Sequence, residues 1–157
     1  MTAATRGDAR RLLGAFLAGD DHYRASSAAY GDGGGPALDR ALDLFLARPE
    51  QGFVWLAYAP DRGAGSGARA VGACVVCFAI STARGTLVAK LDDVTIASDW
   101  QRRGVGTAML EALAAHLRAL GATRIDCACH RDNVDAWRFY AGLGFVPLHE
   151  ERIARLL

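Results

Sequence analysis

Lysine is nearly absent from this chain of 157 residues: Lys90 is the only one among 18 basic side chains. Seventeen acidic residues bring the formal charge to +1. So even a balance supplies no field to hold nucleic acid or an anionic membrane. The arginine excess goes with an alanine-rich composition and reads as GC-rich coding. Long apolar runs are missing too. The longest, Val71–Ile80, is about half of the roughly 20 residues that a spanning helix needs. Leu12–Gly19, behind Arg10 and Arg11, reads as an amphipathic helix rather than a signal segment. Cysteines number four, as Cys74-x-x-Cys77 and Cys127-x-Cys129, all inside apolar runs that look like strands. Residues three apart on a strand face opposite sides, so Cys74 and Cys77 cannot share a tetrahedral metal. They are expected to be small buried hydrophobes, with no metal, in a reduced, cytoplasmic protein. No G-x-x-x-x-G-K-[ST] occurs, which excludes a P-loop.

What is present suits one domain over residues 1–157. Thr5-x-x-Asp8 resembles a capping box, and Leu12, Leu13, Phe16 and Leu17 follow with helical spacing to about Gly19. Pro36 suits the first turn of a second helix with Leu38, Ala41, Leu42, Phe45 and Leu46 on one face. Gly52–Ala59, Ala70–Ile80 and Leu87–Ile96 predict an antiparallel meander, with a turn at Arg84-Gly85. Leu110, Leu113, Leu117 and Leu120 then mark a helix from about Gly104 to Gly121. A strand at Thr123–Cys129 follows. A final helix, capped by Asp132 or Asn133, carries Ala136, Phe139, Tyr140 and Leu143 and ends at Gly144. Phe145–Leu148 and Arg152–Leu157 are expected strands. This order predicts an α/β (α+β) fold: a mixed, mostly antiparallel central sheet with helices on both faces.

The chemistry concentrates in Leu91–Met109. A strand runs through a polar turn into Gln101-Arg102-Arg103-Gly104-Val105-Gly106 and then the long helix. Glycines there let backbone approach a ligand, and first-turn N–H groups have no intrahelical partner. With the helix dipole, they form a site for phosphate or pyrophosphate, and Arg102 and Arg103 add charge. A dinucleotide fingerprint, with Asp126 on a ribose, fails because Met109 stands at its third glycine.

This segment resembles motif A of the GNAT superfamily of acyl-CoA-dependent N-acyltransferases, whose loop reads Q/R-x-x-G-x-G/A. Asn133-x-x-Ala136-x-x-Phe139-Tyr140, followed by Gly144-Phe145, is similar to the signature of that family's last helix. The resemblance implies a GNAT fold and acetyl-CoA as acyl donor. It implies that Val94, Thr95 and Ile96 pair with the pantetheine arm. The N–H groups of Arg102, Arg103, Gly104, Val105, Gly106 and Thr107, within the loop that Gln101 opens, would take the pyrophosphate. Asn133, Ala136 and Tyr140 would line the other side. The strands Leu87–Ile96 and Thr123–Cys129 would splay to hold the thioester, with a bulge in the first.

A thioester is already activated, so a neutral amine can attack directly in a ternary complex. The amine must lose a proton, and the departing thiolate can gain one. Tyr140 is the candidate acid on the resemblance, although its spacing equally suits a core aromatic. Asp92 and Asp93 are consecutive carboxylates in an apolar strand, which strict alternation would point to opposite faces. Asp93 matches the position of an acid in the family's strand and is the candidate base; a structural ion pair is the alternative for either residue. His22 and Tyr23 fall in the family's acceptor-lining region. His130 is a lesser proton-carrier candidate, and His116, Trp55 and Trp137 read as packing residues. The implied acceptor is a small-molecule or peptide amine, and a homodimer is compatible with the reading. The rival is a non-catalytic acyl-CoA-binding sensor of the same fold.

Overall fold

A computed structural model describes residues 1–19, 31, 34–61 and 67–155; His22 and Tyr23 lie outside them. Two helices come first: α1, Arg6–Gly19, and α2, Gly35–Ala47 with Pro36 in its first turn. Three strands follow, β1 at Gly52–Pro60, β2 at Ala68–Ser81 and β3 at Thr86–Ile96. Helix α3, Val105–Ala119, crosses to strand β4, Ala122–Cys127, and helix α4 spans Val134–Gly142. The sheet order is β1-β2-β3-β4. The first two pairings are antiparallel and β3–β4 is parallel, as a helical crossover requires.

Each face of the sheet buries its own apolar cluster. Ala9, Leu12 and Leu13 of α1 and Leu38 and Leu42 of α2 pack on Val54, Ala73 and Val75. On the other face Met109, Leu110, Leu113 and Leu117 of α3 cover Cys74, Val76, Ala89 and Leu91. Alternation along β2 therefore sends Cys74 to one layer and Cys77 toward the other, and all four thiols are free. Bidentate Arg10–Asp39 contacts of 2.8 and 3.1 Å and an Arg6–Asp43 bond of 2.8 Å clip α1 to α2.

Some local expectations are corrected. The reciprocal capping bonds lie one turn early, between Thr2 and Thr5, around a short 3-10 turn at Ala3–Thr5. Asp8 instead accepts the Tyr58 hydroxyl at 2.9 Å. Strand β4 stops at Cys127, two residues short of the expected Cys129. The expected strands at Phe145–Leu148 and Arg152–Leu157 are not formed among the described residues, 145–155 lying in no strand. One cause is local: the Phe145 N–H is used by Tyr140 C=O at 3.0 Å, and Pro147 has no N–H to give. Val146, Leu148 and Ile153 are 73%, 54% and 92% exposed, so alternation there has no sheet face to bury against.

Candidate active site

Strands β3 and β4 stay paired only as far as Leu91↔Cys127. Beyond that point β3 runs on to Ile96, keeping β2 as its partner through Thr95↔Ala73 and Ile96↔Gly72. Among the described residues no strand pairs with its other edge there, and Asp92 is the first residue past the vertex. A bulge sits there. Val75 pairs with Asp92 and Ala73 with Thr95, so β3 carries one extra residue, and Asp93 takes φ 48°. The α3-side layer receives Leu91, then Val94 and Ile96, in place of the 91, 93, 95 series that alternation predicts. The bulge breaks the rule that would set Asp92 and Asp93 back to back.

At the far end of the open edge the chain turns into α3. A 3-10 turn at Ser98–Trp100 leads to Gln101, whose Nε2 donates to Ile96 C=O at 3.0 Å. Gln101 thus braces the loop through its side chain. Arg103 lies over the Trp100 ring at 5.8 Å. Arg102 and Gly104 have φ 54° and 77°, and Gly104 caps α3 in that left-handed conformation, with open space where a Cβ would stand. The first bond into the helix runs from Ala108 N–H to Gly104 C=O. The N–H groups just before it have no intrahelical acceptor and lie at the positive end of the helix dipole. A donor set of this kind is suited to an anion. Gly106 also matters for packing. A Cβ there would come within 3.3 Å of Phe139, so its smallness seats α4 against α3.

Helix α4 then places Tyr140. Asn133 Oδ1 accepts from Ala136 N–H at 3.0 Å and caps the helix, so both residues make a structural contact. At the other end Phe145 N–H reaches Tyr140 C=O and Gly144 N–H reaches Ala141 C=O, each at 3.0 Å. With Gly144 at φ 82° and the Tyr140 and Phe145 rings 5.3 Å apart, this is a Schellman cap with its apolar contact. The Y-x-x-x-G-F spacing is therefore a helix stop that fixes the tyrosine. Burial, followed by Cys127, Cys74, Cys129 and Asp92, raises the Tyr140 pKa. The phenol stays protonated at neutral pH, the state an acid requires. Burial likewise pushes the Cys127 thiol up to about 11, so the nearest thiols are poor nucleophiles at neutral pH.

Other candidates fall elsewhere. His130 Nδ1 accepts from Asp132 N–H at 3.3 Å in an exposed turn, and its carbonyl takes the Trp137 indole N–H at 3.2 Å. His116 stacks on Trp55 at 5.1 Å and meets Phe53 edge-on, a packing role at the β1 side. Arg152 escaped the sequence reading. Its Nη1 comes within 3.7 Å of Asp92 Oδ1, and no local pattern links positions so far apart. Among the described residues no group of three or more His, Cys, Asp or Glu is placed to hold a metal ion. Nor is any helix there long and apolar enough to cross a membrane.

Residues 20–145 match the model of the acetyltransferase (GNAT) family, and the chain belongs to that family. No curated protein matches its sequence. Solved structures share the fold. A crystal structure of a probable acetyltransferase has 21% identity and a TM-score of 0.74, covering 100% of this chain and 94% of that one. A transcriptional regulator from Bacillus halodurans has 22% identity and a TM-score of 0.73, covering 96% of this chain and 94% of that one. Glucosamine-6-phosphate N-acetyltransferase from Arabidopsis thaliana has 14% identity and a TM-score of 0.64, covering 98% and 92%. The expected α/β architecture, with a mixed sheet between helical layers, is thus the one the chain adopts.

Proposed function

We propose that the chain is an N-acetyltransferase that moves acetyl from acetyl-CoA to an amine by direct attack in a ternary complex. The observation that carries this is one continuous open edge. It starts at the β3–β4 vertex beside Asp92, runs along Val94, Thr95 and Ile96, and ends at the unpaired N–H groups at the start of α3. An acyl-CoA has matching parts in the same order: thioester, amide-bearing arm, pyrophosphate. Backbone of Val94–Ile96 supplies strand-like partners for the arm's amides. The N–H groups of residues 102–107, with Arg102 and Arg103, hold the pyrophosphate. Gln101 stiffens that loop, and Asn133 and Ala136 form the opposite lip.

Acetyl-CoA brings an activated carbonyl; the protein supplies placement and protons. Tyr140, kept protonated by burial, gives its proton to the departing thiolate. Asp93, on the bulge, takes the proton of the incoming amine, directly or through water. The raised pKa of Cys127 supports attack by the amine over transfer through a protein thiol. A panel of polyamines, aminoglycosides, amino acids and peptide N-termini, read by release of free CoA thiol, tests the proposal. Amine-dependent release from acetyl-CoA is the expected result. Tight binding of acetyl-CoA with no release for any amine would overturn catalysis and leave a sensor.

A further inference from the structure

The Arg152–Asp92 contact stands at the point where β3 and β4 cease to pair. Asp92 is the first β3 residue beyond the last β3–β4 pair, and its charge is the smallest of the influences that raise the Tyr140 pKa. A carboxylate at that vertex is the natural partner for a positively charged amine approaching the thioester. The chain already carries a cation there. Arg152 Nη1 lies 3.7 Å from Asp92 Oδ1, with the two side chains 60% and 42% exposed. The contact is long and half in water, so it is loose enough to be exchanged. Arg152 is borne on a segment in no strand, which is tied back to the β4–α4 turn by Glu151 and Arg131 at 3.0 Å.

Resting on the acetyltransferase reading, we propose that Asp92 receives the ammonium form of the acceptor and that Arg152 is a built-in competitor for it. The residue selects cationic amines by making them displace a guanidinium, and it shields the carboxylate while no amine is bound. Asp92 attracts and orients; the proton itself goes elsewhere. Two consequences follow from this geometry. Removing the guanidinium leaves the carboxylate open and strengthens binding of any small ammonium ion. Salt, which screens exposed charges, shrinks that advantage.

The test is a carboxyl-carbon NMR titration of Asp92 with n-butylammonium chloride, in the wild type, Arg152→Gln and Arg152→Lys. Asp92→Asn assigns the signal. The expected result is an Asp92 response whose half-saturation falls about two- to fivefold in Arg152→Gln, the range an exposed ion pair supplies. Arg152→Lys restores the wild-type value, and 0.5 M sodium chloride narrows the difference. No Asp92 response in any of the proteins, or equal half-saturation in wild type and Arg152→Gln, overturns the proposal. Calorimetry of acetyl-CoA on the same samples separates the two readings, since absent donor binding refutes the acetyltransferase and an absent amine response refutes the competitor.

Discussion

Replacing Gly104 by glutamate attacks the donor site without removing any core contact. Gly104 holds φ 77°, so any side chain adds strain of about 1–2 kcal/mol. Nothing lies within 4 Å of the added Cβ, so no clash is superimposed. A carboxylate in the first turn recovers about 0.3–1 kcal/mol from the helix dipole. The net loss, about 1 kcal/mol, lowers the melting temperature of a chain this size by roughly 2–4 °C. Binding suffers more. A carboxylate about 5 Å from a pyrophosphate costs about 1–3 kcal/mol for each unit charge at an effective dielectric of 20–80. Acetyl-CoA affinity should therefore fall at least about 30-fold. Gly104→Ala carries the same strain without charge and should lose less than about tenfold. Calorimetric titration of both variants, after circular dichroism shows them folded, reads the difference. A folded Gly104→Glu protein that binds acetyl-CoA within twofold of wild type would refute the assignment of the α3 N-terminus.

Three other perturbations probe the chemistry. Tyr140→Phe keeps the ring that packs on Phe139 and Phe145, so kcat should fall about 100-fold with donor affinity little changed; a change within twofold makes Tyr140 a packing residue. Asp93→Asn should depress kcat/KM at pH 7 and recover part of it at pH 9, where more of an alkylamine with pKa about 10.4 is already neutral. A flat ratio across the two pH–rate curves would move the base to another group. For the thiol held at about 11, iodoacetamide labelling of Cys127 should rise about tenfold per pH unit from pH 8 and level only near that value. A plateau near pH 8.5, followed by peptide mass mapping, would show an unperturbed thiol and reopen a covalent route.

Much of the fold could be read from sequence because its signals are local. Pro36 opening α2, the leucine series of α3 and the glycines at 121 and 144 each act within one turn. The signature around Tyr140 was legible for the same reason: Gly144 and Phe145 close the helix on the tyrosine itself. Gly106 shows a limit, since its neighbour Phe139 is 33 positions away and its contact belongs to packing between helices. The acidic pair shows another. Alternation is a property of regular strand, and the extra residue at the bulge cancels it where the facing of Asp92 and Asp93 matters. The C-terminal segment has strand-like residues, yet the α4 cap takes the Phe145 N–H, and Arg152 comes within 3.7 Å of Asp92. The first of these partners is local and only the second is tertiary.

Residue-resolved amide exchange with and without acetyl-CoA probes the whole open edge in one experiment. Donor binding should slow exchange at Val94–Ile96 and at residues 102–107, with the Ser81–Thr86 hairpin at the other end of β3 unchanged. Binding that protects amides elsewhere, and leaves Val94–Ile96 and residues 102–107 exchanging as in the free protein, would contradict the placement of the donor along β3 and the start of α3.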